Sequence, residues 1–178
     1  MEFRVCTLED LDQIMELQEK ICQGMGEHPD WFADTSREDN AWFLEEPNLL
    51  LGVFDGDRLA AYGSIGFEED APGSMGWEFG WDEETVRRCA LLDTIVVDED
   101  YRGQGLQREL IRRCVEHAAG VKSGCIVLTT IAPDNIYSLR NAQAEGFEVQ
   151  KRVKKYGGKD RYILSLHCDC DPESVLQP

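Results

Sequence analysis

Between the β-branched run Ile95-Val96-Val97 and a helical apolar stripe lies the stretch Arg102-Gly103-Gln104-Gly105-Leu106-Gln107. A strand that passes directly into a helix leaves the first helical N–H groups without internal partners. The helix dipole adds about half a positive charge at that end, and such an end binds phosphate groups. Glycine at 103 and 105 opens backbone angles closed to other residues and lets a ligand approach the main chain. Arg102 contributes a planar fork of donors suited to phosphate oxygens. Between Asp100 and Arg113 four bases (Arg102, Arg108, Arg112, Arg113) face two acids (Asp100, Glu109), a cationic island in a chain of net charge −17.

Two familiar phosphate-binding signatures do not fit. No G-x-x-x-x-G-K-[ST] run occurs. The dinucleotide fingerprint requires a third glycine where Arg108 stands. Taken alone, the glycines are equally compatible with a tight turn that binds nothing.

The elements that hold this turn can be read on both sides of it. A strand from about Cys89 to Val97 enters it, and Leu106, Leu110, Ile111, Cys114, Val115 and Ala118 form one face of the helix that leaves it. Upstream, Phe3–Cys6 reads as a short strand. Thr7 with Asp10 then starts a helix striped by Leu11, Ile14, Met15, Ile21 and Cys22. Ser36 caps a short helix over residues 37–44, and the apolar runs beside Asp55-Gly56 form a hairpin. The acidic stretch Glu68 to Thr85, with Trp77 and Trp81, reads as a long loop. Downstream, Cys125–Thr130 is a buried strand. Asp134 caps a helix ending at Gly146, and two strands meet at Gly157-Gly158. The order β-α-α-β-β-β-α-β-α-β-β is that of a single α/β (α+β) domain, expected over residues 1–166 with a polar tail at 167–178.

Composition narrows the classes. A chain of 178 residues, 42% hydrophobic and 30% charged, suits one soluble globular domain. Glu2, Arg4, Glu9 and Asp10 exclude an ordinary signal peptide, and no window approaches the ~18 apolar residues of a membrane span. The cysteines are odd in number, and most sit in apolar segments. They read as reduced thiols, which implies a cytoplasmic protein. His167, Cys168 and Cys170 are ligand-type residues without a second half-site, so no metal is expected. The excess of acids opposes binding to nucleic acid or anionic membrane. It favours a cationic partner, or serves solubility alone.

The stretch V-x-x-x-x-R-G-Q-G-L resembles the central motif of the GCN5-related N-acetyltransferase (GNAT) superfamily, [QR]-x-x-G-x-[GA], with Arg102, Gly105 and Gln107 at its positions. Asn135, Ser138 and Gly146-Phe147 resemble the family's N-x-x-[AS]…G-F segment, and the element order is similar over nearly the whole chain. The resemblance implies the acyl-CoA N-acyltransferase fold, a mixed sheet of six to seven strands flanked by about four helices. It also implies an acetyl-CoA site. The pyrophosphate would lie on the amides of Arg102, Gly103, Gln104, Gly105, Leu106 and Gln107, and the pantetheine would pair with Ile95, Val96 and Val97. Asn135 and Ser138 would contact the cofactor from the other side. Gln107 departs from the usual Gly or Ala, either crowding the phosphates or donating to them, and Ala142 stands where the family often has a tyrosine general acid.

Acetyl transfer to an amine needs a neutral amine, a polarised carbonyl and a proton for the departing sulfur. Residues 93, 95 and 97 are expected on one strand face, which makes Asp93 the candidate base. Ser138 lies one helical turn before Ala142 and is the candidate donor to sulfur. The expected reaction is direct attack, in a ternary complex, by a primary amine of a small molecule or peptide, with the acidic loop and its tryptophans attracting a cationic acceptor. The alternative is a non-catalytic acyl-CoA sensor on the same fold. A homodimer is in keeping with the family, although no segment declares an interface.

Overall fold

The computed structural model describes residues 1–67 and 74–168; the rest of the acidic stretch (68–73) and of the tail (169–178) lie outside the described residues. Seven strands form one mixed sheet: β1 (Glu2–Val5), β2 (Leu49–Asp55), β3 (Arg58–Gly66), β4 (Cys89–Val97), β5 (Ile126–Ile131), β6 (Glu148–Lys155) and β7 (Lys159–His167). Their spatial order is β1-β2-β3-β4-β5-β7-β6, and every pairing is antiparallel except β4 with β5. That parallel pair needs a crossover connection, which helix α4 (Leu106–Val121) provides.

Five helices are present among the described residues, against about four expected: α1 (Leu11–Gly24), α2 (Arg37–Trp42), α3 (Glu83–Arg87), α4 and α5 (Ile136–Ala144). The extra helix falls in the stretch read as a loop. Asp82 caps α3 through Thr85 N, Ser74 caps a 3₁₀ turn over Met75–Phe79, and Gly80 leaves that turn at φ 68°. Trp81 stacks on Phe79 with ring centroids 4.5 Å apart, over Met75, Cys89, Ile126, Leu128 and Ile163. Two polar caps and an aromatic stack therefore give helical turns to a sequence whose acidity suggests a loop.

Other boundaries shift slightly. The β2–β3 turn is Gly56-Asp57, because Asp55 pairs with Arg58; Gly56 takes the first turn position at φ 60°, where a type II′ hairpin needs glycine. Helix α5 is capped by Asn135, whose Oδ1 accepts from Ser138 N at 3.1 Å, and not by Asp134. Strand β7 runs to His167, one residue past the expected domain end.

Both faces of the sheet are covered. The apolar stripe of α4 (Leu106, Leu110, Ile111, Cys114, Ala118) packs on β2, β3 and β4 with Leu51, Val53, Ala61, Ile65 and Leu92. On the opposite face, Ile14, Leu17 and Ile21 of α1 pack on Leu50, Leu59, Tyr62 and Val96. Asp98, at the exit of β4, ties these layers together: Lys20 of α1 and Arg58 of β3 each donate to it at 2.7 Å.

Candidate active site

The sheet is split at its centre. β4 and β5 pair only through Cys89↔Ile126, Ala90↔Val127 and Leu91↔Leu128. Beyond Leu91 and Leu128 each strand continues, held on its far side by β3 or β7. The space between them opens into two cavities, of about 330 Å³ and about 670 Å³, which share Trp31, Phe32, Ile95, Gln107, Asn135 and Ser138 as walls.

The larger cavity lies along Ile95–Val97 and the glycine turn. Gly103 and Gly105 have φ 77° and 78°, a region that side-chain-bearing residues rarely adopt. Apart from each glycine's own chain neighbours, no described atom lies within 4 Å of the place where its Cβ would stand. Gly105 is the N-cap of α4 and supplies no side-chain cap, so the first N–H groups of the helix remain available to an anion. Of the four arginines around this turn, Arg108 pairs with Glu145 at 2.6 Å, Arg112 pairs with Glu109 and Glu145, and Arg113 pairs with Glu109 at 2.7 Å. Arg102 has no ion pair among the described residues. The cationic island expected from the sequence is thus largely consumed by carboxylates, and Arg102 is the cation left for a phosphate.

The Gln107 side chain is held within the protein. Its Nε2 donates to Ser138 Oγ at 3.1 Å and its Oε1 accepts from Asn141 Nδ2 at 2.6 Å, which fastens α4 to α5. Ser138 Oγ therefore accepts one hydrogen bond, and no acceptor among the described residues takes its own proton. Ala142 is buried in the wall of the smaller cavity.

Asp93 lines the smaller cavity, but not on the face expected. The β3–β4 register runs Gly63↔Ile95, Ser64↔Thr94, Ile65↔Leu92, so Asp93 is the unpaired residue of a β-bulge. The bulge reverses the alternation of β4: Leu92 lies with the α4 layer, and so do Ile95 and Val97. Asp93 instead turns with Thr94 toward the loop before α2. Its Oδ2 accepts from Thr94 Oγ1 at 2.9 Å and from Thr35 Oγ1 at 3.3 Å. Burial raises the proton affinity of this carboxyl above the ordinary aspartate value, and the nearby charge of Asp39 adds to the rise. The two hydroxyl donors offset part of it.

Several walls of this cavity were not legible in the sequence. Trp31, Phe32 and Thr35 come from the α1–α2 connection, Asp39 from the first turn of α2, and Tyr156 and Arg161 from the β6–β7 hairpin. Trp77 and Trp81, expected to stack an acceptor, do not line it, and Glu78 is engaged by Lys155 at 3.1 Å and Lys151 at 3.7 Å. Glu68, Glu69 and Asp70 lie outside the described residues.

The acetyltransferase (GNAT) family model matches residues 11–147, well over half of the chain, including both strands of the split, β4 and β5. The chain belongs to this family. A spermine/spermidine N(1)-acetyltransferase from Bacillus subtilis (strain 168) is 27% identical over 79 residues, 44% of this chain; the match spans about half of that relative, 52% of its length. The GNAT fold is shared with a ribosomal-protein-alanine N-acetyltransferase from Brucella melitensis (TM-score 0.71, 19% identity, 94% of this chain and 100% of that one). It is shared also with the yncA protein from Salmonella typhimurium, solved with its cofactor acetyl-CoA (TM-score 0.69, 18% identity, 95% and 94%).

Proposed function

We propose that this GNAT protein is an acetyl-CoA-dependent N-acetyltransferase of a primary amine, working in the cytoplasm by direct attack in a ternary complex. The observation that carries this reading is the bulged Asp93, which lines a cavity that shares walls with the one along the uncapped glycine turn. The residues fit the donor. The open turn at Gly103 and Gly105 with Arg102 suits a pyrophosphate, and the unpaired flanks of β4 and β5 suit an extended chain carrying amides. Acetyl-CoA supplies the acetyl thioester. Asp93 takes a proton from the bound ammonium, and its raised proton affinity suits it to hold that proton. The Ser138 hydroxyl, oriented by Gln107, donates toward the sulfur in place of the tyrosine that Ala142 lacks. Direct attack is favoured over a covalent enzyme intermediate because no cysteine lines the cavity among the described residues. Cys89, just beyond it, is pushed by burial up to about 11.

The buried Ala142 favours a second reading, an acyl-CoA sensor without turnover. Two measurements separate them. Calorimetry with acetyl-CoA on wild type and G105V is expected to show binding that the variant loses. CoA release is then followed over a panel of amines. Binding without turnover of any amine selects the sensor, and no binding by folded wild type removes both.

A further inference from the structure

Arg161 is the most unusual charge in the molecule. It lies on β7 one residue before the last β5–β7 pair, Ile131↔Tyr162, and is only 2% exposed. Burying a guanidinium is costly unless a carboxylate compensates it. Among the described residues none does. The adjacent Asp160 carboxylate is taken by Arg152 at 3.2 Å and Lys154 at 3.0 Å, and only the Asp160 backbone carbonyl accepts from Arg161, at 2.9 Å. One of five donors is thereby used. In a chain with 35 acidic and 18 basic residues, a buried arginine left without an acid needs an explanation.

Its surroundings supply one. Arg161 lines the same 330 Å³ cavity as Asp93. Tyr156 covers it, with the guanidinium 5.4 Å from the ring centroid, and reaches across to β5, its hydroxyl 3.2 Å from Thr130 Oγ1. Tyr156 holds φ 50° and is followed by Gly157 and Gly158 at 77° and 102°. A non-glycine residue in that region is strained, and here the strain sets the phenol over the arginine. The indole Nε1 of Trp31, another wall of this cavity, is a buried donor with no acceptor among the described residues. The cavity therefore offers carboxylates (Asp93, Asp39) for an ammonium group and an uncompensated cation for an anion, with aromatic walls between them. Its volume lies at the small end of the ~300–1,000 Å³ typical of ligand sites.

We propose that the acceptor is an amine that also carries a carboxylate, a free amino acid or a molecule of that type, and that Arg161 receives the carboxylate as a bidentate partner. This rests on the acetyltransfer reading above and narrows it. A polyamine, cationic at every nitrogen, would meet the buried guanidinium with like charge.

The test uses acetyl-CoA-loaded protein and follows CoA release with the common amino acids, their α-carboxamides and spermidine. Wild type is expected to use its best amino acid about 10- to 100-fold more efficiently than the matching carboxamide, the range for a charge-assisted hydrogen bond. R161M should bring that ratio close to one, chiefly through KM, while acetyl-CoA affinity is retained. R161K, which keeps a cation, should keep part of the preference and guards against R161M failing to fold. Equal or better turnover of carboxamides or spermidine by wild type overturns the assignment and leaves acetyl transfer standing. So does an unchanged ratio in R161M. No turnover of any amine by protein that binds acetyl-CoA removes the acetyltransfer reading, and this assignment with it.

Discussion

Replacing Asp93 with Asn should make the protein more stable and less active. The carboxyl sits on a bulge, partly buried, with two hydroxyl donors and no cation among its hydrogen-bond partners. Its proton affinity is raised because burial disfavours the charged form. The sign follows by linkage: a raised folded-state pKa contributes stability that is fully present below the unfolded value, near 3.9, and lost as pH rises through the folded one. At neutral pH the wild type therefore carries a penalty of about 1.4 kcal/mol for each unit of the rise. Asn is neutral at every pH and its side-chain oxygen can still accept from Thr94 and Thr35, so D93N should melt higher at pH 7, by about 2–4 °C for each kcal/mol relieved in a chain of this size. At pH 3 the two proteins should converge. Activity should move the other way. Loss of a positioned base costs about 10²- to 10⁴-fold, roughly 3–5 kcal/mol of barrier. In wild type, kcat/KM should rise through the Asp93 pKa and level off below the pKa of the amine. In D93N it should track the neutral-amine fraction alone. Thermal melts at pH 3 and 7 with pH–rate profiles of both proteins decide the matter. An Asn variant that melts lower at pH 7 and keeps the wild-type pH profile would refute the assignment of Asp93 as a base.

Three further outcomes follow from other contacts. Removing the unpaired cation beside the glycine turn, R102M, should weaken acetyl-CoA binding about tenfold and reduce its salt dependence, measured by calorimetry at two ionic strengths. Q107A loses the hydrogen bonds to Ser138 and Asn141; at about 1 kcal/mol each it should lower stability by about 2 kcal/mol and reduce kcat more than it raises the KM for acetyl-CoA. Burial pushes the Asp98 carboxyl up, but Lys20 and Arg58 outweigh it and bring the value to about 2, and Asp10 reaches about 2 through Arg4. Depressed values give stability that is present above the unfolded pKa and lost as pH falls, so denaturant midpoints should drop between about pH 4 and 2. D98N should be less stable at pH 7 and show a shallower acid loss, with Asp10 supplying what remains.

The parts of the site that were legible in the sequence are the ones built locally. A strand, two glycines, an arginine and an amphipathic stripe specify the turn at 102–107 within a dozen residues, and the helix that carries Ser138 is legible too, although its cap is Asn135 and not the expected Asp134. The bulge at Asp93 was not legible: nothing in Leu92-Asp93-Thr94 announces an unpaired residue, and a strict period of two puts Asp93 on the wrong face. Arg161 and Tyr156 could not be paired with Asp93 from sequence, because β7 meets β5 only after the chain has built β6. The acidic stretch misled because charge hid two capping residues. Ser74 and Asp82 give helical turns to residues that composition assigns to a loop.

The parting of β4 from β5 makes the molecule an unfinished sheet. Past Leu91 and Leu128, two inner strands present main-chain donors and acceptors toward each other across a gap that neither can close, while β3 and β7 hold them apart. Elsewhere, a free edge of this kind invites pairing with other chains. Here it lies inside the sheet, between strands that are paired on their other sides. A guest that completes the ladder becomes part of the fold. Amide hydrogen exchange in residues 95–97 and 129–131 should therefore slow when such a guest binds.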